Sequence, residues 1–177
     1  MKPLDKELAE LFVDLHTSGI WEDEKYISDA ELLAPSAEVL SAYRQEKQGA
    51  DFDLKDFFYR YFIPVQTQDV DFKHDPSRSP EEHIKALWPY LQRPADKPER
   101  PSSRFALPYS YLVPGGRFQE VYYWDSYFTQ LGLVKHGYRH WVSDILDNFA
   151  YFIKDVGHIP NGNRSYFLSR SQPPFFA

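Results

Sequence analysis

Apolar residues recur at helical spacing along much of this chain. Leu4, Leu8, Leu11, Phe12 and Leu15 fall on one helix face, and Gly19 marks a stop. Ser28 with Glu31 fits a capping box opening a short helix, after a structural stretch from Trp21 to Asp29. Pro35-Ser36 opens a helix through Leu40 and Tyr43, stopped by Gly49. Asp53 caps a run of Leu54, Phe57, Phe58, Tyr61 and Phe62 that ends before Pro64. A polar connection follows from Val65 to Arg78. Ser79-Pro80-Glu81-Glu82 is the clearest helix start: a capping serine, proline at the first helical position, and Glu82 reaching back. Ile84, Leu87, Trp88 and Leu91 form its apolar face, with Pro89 as a kink or an end.

Pro94, Pro98 and Pro101 then stand among charges, which predicts an exposed loop, extended in places, from Arg93 to Ser103. Farther on, a helix opens at Asp125 or Ser126, carries Tyr127, Phe128, Leu131 and Leu133, and ends near Gly137. Trp141, Val142, Ile145, Leu146, Phe149, Phe152 and Ile153 make a strongly amphipathic helix with Gly157 as its stop. The two are expected to form an antiparallel hairpin. Gln172-Pro173-Pro174-Phe175-Phe176-Ala177 reads as the first turn of one more helix. No useful alternation of apolar and polar residues occurs, so strands should be few and the fold all-α.

Composition narrows the class. With 177 residues, a hydrophobic share of 42% and aromatics at 18%, the chain can bury a core and line a cleft. A net charge of −6 argues against nucleic acid or an anionic membrane as partner. The chain has no cysteine, which removes disulfides and thiolate metal sites. His74, His83, His136, His140 and His158 are too scattered for a metal centre. The acidic, periodic N-terminus lacks a signal peptide's apolar centre. That favours the cytoplasm, or the periplasm if a leader has been removed.

The densest chemistry lies at 114–127, where a Gly-Gly turn, Arg117, two carboxylates and five aromatic rings share fourteen residues. Glycines let the backbone take positive φ or approach a ligand closely. Arg117 offers a rigid fork of donors suited to paired hydroxyls. Trp124 offers a flat apolar face of the kind a sugar ring stacks on, and Asp125 can accept from a hydroxyl. The bland alternative makes Trp124 core and Asp125 the cap of the next helix. A second polar run, Gly157 to Tyr166, leads into Ser169-Arg170-Ser171-Gln172-Pro173-Pro174. There Asn161-Gly162 is also a common turn pair and Asn163-Arg164-Ser165 an ordinary polar loop, while Ser171 could merely cap a helix with Gln172 in its first turn.

Pro-Gly-Gly-Arg-Phe-x-Glu-x-Tyr-x-Trp-Asp-x-Tyr at 114–127 resembles the first signature of the trehalases, inverting glycosidases that split α,α-trehalose into two glucoses. The run from Gly157 to Ala177 resembles the family's next substrate loop, in the same order. The likeness is strongest from Leu107 to Ala177 and weaker upstream, where Glu24-Lys25-Tyr26 departs from the family's pattern. The resemblance implies an (α/α)6 toroid of six helical hairpins, with 1–104 as a helical lead-in and Pro-rich connection and 105–177 as the toroid's start. It implies that Arg117, Trp124, Asp125, Asn161, Arg170, Ser171 and Gln172 hold a glucose in the inner subsite. It implies a disaccharide as partner, acid–base hydrolysis without metal or cofactor, and an intact protein that is a monomer.

Glu120 and Asp125 do not suit the acid–base pair. Residues five apart in a stretch that is partly loop are not placed across a sugar by their spacing. In the trehalases the acid and base come from later motifs, so no catalytic residue is assigned within the 177 residues. Twelve helices of about 11 residues with loops of about 5 need roughly 190 residues. The chain therefore reads as the N-terminal portion of a longer enzyme, inactive alone. Two other readings compete: a related toroidal enzyme acting on another α-glucoside, and a non-catalytic helical module that binds sugar.

Overall fold

The computed structural model describes residues 3–65, 71–97 and 100–176. Outside these fall residues 66–70 of the polar connection, Pro98 and Glu99 of the proline-rich loop, and Ala177 at the end of the second block. The described chain is mostly helical, as the apolar spacing predicts. It forms two compact units, one of residues 1–66 with 98–105, the other of 67–97 with 106–177.

In the first unit, α1 (Leu4–Thr17), α2 (Glu24–Ser28), α3 (Ser36–Glu46) and α4 (Leu54–Tyr61) surround one core. Leu4, Leu8, Leu11 and Leu15 of α1 are all buried, so the predicted stripe is the face that packs. It shares one core with Val39 and Tyr43 of α3, Phe57 set edge-on to Tyr43, and the stacked pair Phe58 and Phe62. The helix is broken at Ala9, where φ is +45°. Asp53 caps α4 by accepting from the Asp56 amide at 2.8 Å, as expected.

The expected capping box at Ser28 is absent. Asp23 caps α2 instead, accepting from the Lys25 amide, and Ser28 is its last residue. Glu31 lies in a two-residue strand β1 (Glu31–Leu32), paired antiparallel with β2 (Phe62–Ile63). Tertiary pairing wins here because Leu32 gains full burial beside Phe62. Ser103, expected in an exposed loop, is buried and donates to the Ser28 carbonyl at 2.7 Å.

The second unit contains α5 (Pro80–Leu91), α6 (Tyr123–Lys135) and α7 (Arg139–Val156). The capping box at Ser79 and Glu82 forms as expected. Pro89 does not end α5, which runs on to Leu91 before β3 (Gln92–Arg93) pairs antiparallel with β4 (Tyr111–Leu112). Three residues join α6 to α7, and Tyr123 at the start of α6 meets Phe149 late in α7 with ring centroids 5.4 Å apart. That contact makes the pair an antiparallel hairpin. Gly157 takes φ +89° and stops α7, as expected. Asn148 of α7 is fully buried and ties the hairpin to the segment before β4. It accepts from the Tyr109 amide and donates to the Tyr109 and Ser110 carbonyls, each at 3.1 Å. No described helix is long and apolar enough to cross a membrane.

Two predictions concern the first unit. Leu11→Ala removes a side chain with no exposed surface. It should lower unfolding free energy by about 3 kcal/mol in urea denaturation. The second is acid sensitivity. Hydrogen bonding from Arg44 lowers Glu10 from 4.5 to about 2. Lys47 and Tyr43 lower Asp14, and Arg60 lowers Glu46. A depressed folded value gives stability present above the unfolded value and lost as pH falls through the folded one. Melting temperature should therefore drop between pH 4.5 and about 2. These groups are largely exposed, so the effect should be modest and reduced by salt. A melt series across that window, at low and high ionic strength, checks it.

Candidate functional site

The helix α6 begins at Tyr123, two or three residues earlier than its sequence suggests. Its N-terminal flank is Tyr122, whose side chain makes no capping bond, and Asp125 sits inside the first turn rather than at the cap. A helix start leaves several amides without intrahelical partners. Here the second polar block supplies them. The Tyr123 amide donates to the Asn161 carbonyl at 3.2 Å, and the Trp124 amide donates to Gln172 Oε1 at 2.9 Å. Asp125 then stands where a carboxylate favours the positive end of the helix dipole. Gln172 Nε2 points back toward Asp125 Oδ2, a long contact of 3.5 Å.

Those bonds continue a short antiparallel pairing. Tyr122 bridges Gly162, the Asn163 amide donates to the Val121 carbonyl at 3.2 Å, and the Val121 amide donates to Asn163 Oδ1 at 2.8 Å. The backbones approach so closely that a Cβ on Gly162 would lie 2.9 Å from the Val121 carbonyl oxygen. The Asn-Gly pair is thus part of a strand contact as well as a turn. The Asn161 amide donates to the Arg170 carbonyl at 3.0 Å, and Ser171 Oγ donates to the Ile159 carbonyl at 2.7 Å. Trp124, Asp125, Asn161, Arg170, Ser171 and Gln172 are therefore drawn into one neighbourhood, by bonds within the second block and by others to α6 that cross some 40 residues of chain.

Arg117 is held separately. Gly116 takes φ +59°, in the left-handed region, and the Gly115–Phe118 pair closes the turn. Gln119 is buried beneath it and donates to the Gly116 carbonyl at 2.6 Å, while accepting from Arg93 at 3.1 Å. The Arg117 guanidinium lies over the Phe118 ring, 5.9 Å from its centroid.

Exposure separates two layers. Arg117, Trp124, Asp125, Arg170 and Ser171 are exposed, and Asn161 and Gln172 are half-buried. Beneath them Glu120, Asn163, Arg164 and Ser165 are buried. The upper layer can offer cations, amide groups, a carboxylate and an indole face to a polyhydroxylated ligand. The lower layer fixes the backbone that carries it.

Sequence reasoning missed this lower layer. Read locally, Glu120 is no catalytic acid, and Asn163-Arg164-Ser165 is an ordinary loop or a part of the second block with no assigned role. Arg164 Nε instead bonds Glu120 Oε1 at 2.9 Å in full burial. A usable signal was present: Glu120 is adjacent to apolar Val121 in a stretch too aromatic to be a solvated face.

The helix start expected at 172–177 is not seen among the described residues. Residues 171–176 are irregular, because competing bonds engage them. Gln172 is turned toward α6, the Phe176 amide donates to the Tyr123 hydroxyl at 3.1 Å, and Phe175 stacks on Tyr127 with centroids 4.5 Å apart. Among the described residues no group of three or more His, Cys, Asp or Glu is gathered to hold a metal ion.

A helical hairpin presenting this polar and aromatic surface fits a helical glycoside hydrolase. The family model described as Trehalase matches residues 19–177, and the chain belongs to that family. It is a glycoside hydrolase of the trehalase type, and its substrate class is a disaccharide.

One substitution tests the pairing. Asn163→Ala leaves the buried Val121 amide without its side-chain acceptor. It should cost about 1–3 kcal/mol of stability, measured by thermal and urea unfolding. Local amide exchange should rise first at Val121 and Tyr123.

Proposed function

We propose that this chain supplies one wall of a glucose subsite in an enzyme that hydrolyses α,α-trehalose to two glucoses with inversion. Arg117 and Arg170 orient hydroxyls through fixed donors. Asn161 and Gln172 match hydroxyls that both donate and accept. Asp125 accepts from one hydroxyl, Trp124 walls the ring, and Ser171 completes the polar rim. The observation that carries this reading is the capping of α6 by Asn161 and Gln172, which brings two distant polar blocks together. The α6–α7 hairpin is then one hairpin of an (α/α)6 toroid.

Inverting hydrolysis needs a carboxylic acid to protonate the leaving oxygen and a carboxylate to activate water on the opposite face. We assign neither role to a residue of this chain. Glu120 has no exposed surface and is paired with Arg164, which suits neither proton transfer to a ligand nor activation of bulk water. The residues named above act by gripping a distorted, oxocarbenium-like ring more firmly than the ground state.

Calorimetry with trehalose, beside glucose release followed by a coupled assay, tests the reading. The 177-residue chain should bind trehalose weakly and release no glucose. Arg170→Ala should weaken that binding about tenfold or more, since it removes a charged hydrogen-bond donor. Binding unchanged by Arg170→Ala would sink the subsite assignment. Glucose release by the chain itself would overturn the placement of acid and base elsewhere.

A further inference from the structure

We propose that the buried Glu120–Arg164 ion pair is a positioning device that sets the register between the two blocks of the sugar subsite. The inference rests on the subsite reading above, but its first observable does not. The Tyr122–Gly162 bridge fixes an antiparallel register. One step farther the Val121 and Asn163 backbones are bonded, and one step beyond that Glu120 faces Arg164. In the other direction the same register leads to Tyr123 and Asn161, next to which, off the ladder, the Trp124 amide meets Gln172. The ion pair thus lies at one end of a short ladder, and Asn161, beside the Trp124–Gln172 contact, at the other.

Such a ladder is weakly specified by itself, because its pairing is only a few residues long. A slip of one residue turns each side chain to the other face. Hydrophobic contact would resist that poorly, since the faces are lined by interchangeable aromatic rings such as Phe118, Tyr122 and Phe167. A guanidinium–carboxylate bond resists it strongly. Displacing Arg164 by one residue would break a buried charge-assisted bond, which is costly to lose.

Both partners are tied further. Glu120 Oε2 accepts from the Tyr122 hydroxyl at 3.2 Å. The Arg164 amide donates to the Gly162 carbonyl at 2.9 Å, and its carbonyl accepts from Phe167 at 2.9 Å. An apolar pair of similar volume could be as stable. What it would lack is direction, so the ion pair's distinct contribution is geometric.

The test compares the wild-type full chain with Glu120→Gln and with the double variant Glu120→Leu/Arg164→Met. Three quantities are read: melting temperature, residue-resolved amide exchange, and trehalose affinity by titration. A positioning role predicts that the double variant melts near the wild type. Protection at Tyr123, Trp124 and Asn163 should nevertheless fall about tenfold, and trehalose affinity with it, while α7 amides stay protected. Glu120→Gln, which keeps the acceptor oxygen, should show the same pattern more weakly and decides the matter if the double variant does not fold.

Two results would overturn the proposal. One is unchanged protection and affinity in a folded variant. The other is a uniform loss of protection through α6 and α7 with affinity of the folded fraction intact, which marks a purely structural pair. If the wild type binds no trehalose, the sugar reading fails, and the exchange pattern still decides the register claim.

Discussion

The start of α6 depends on residues far along the chain. No side chain at Tyr122 caps it, and its first amides would otherwise look to water. The Asn161 carbonyl and the Gln172 side chain take two of them. Each bond does two things at once. It satisfies a helix terminus, and it places a polar residue beside Trp124 and Asp125. Positioning of the site and completion of the helix are the same event, so the second block cannot drift without exposing the helix it caps.

Below that surface lies a polar layer that water does not reach. Glu120, Asn163 and Arg164 are buried together, Glu120 bonded to Arg164 and to the Tyr122 hydroxyl and Asn163 to the Val121 amide. Buried polar groups are costly when left unpaired, so this layer tolerates few alternative arrangements. Above it, Arg117, Arg170 and Asp125 are exposed and open to a ligand. A rigid lower layer and an accessible upper one suit the proposed sugar subsite, because its donors would have to wait in place for hydroxyls that water would otherwise hold.

The first unit follows simpler rules. Its stability comes from the leucine stripe of α1 against Val39, Tyr43 and the stacked Phe58 and Phe62. Its exposed ion pairs, Arg44 with Glu10 and Arg60 with Glu46, add little beyond acid sensitivity.

The sequence by itself determined most of the helices and their ends, α2 excepted, and the family. Apolar periodicity, the Ser79 capping box, Asp53 and Gly157 act over three or four residues, within reach of local reasoning. The odd composition of 114–127 also stands on its own. Only the tertiary structure decided where α6 begins, because its caps come from Asn161 and Gln172 rather than from Asp125. It replaced the expected capping box at Ser28 with β1, and left 171–176 irregular because Tyr123 and Tyr127 engage Phe176 and Phe175. It also revealed Glu120 and Arg164 as partners. These outcomes share one cause: each is fixed by a partner distant in sequence, and local propensity yields wherever a distant group satisfies the backbone or the charge better.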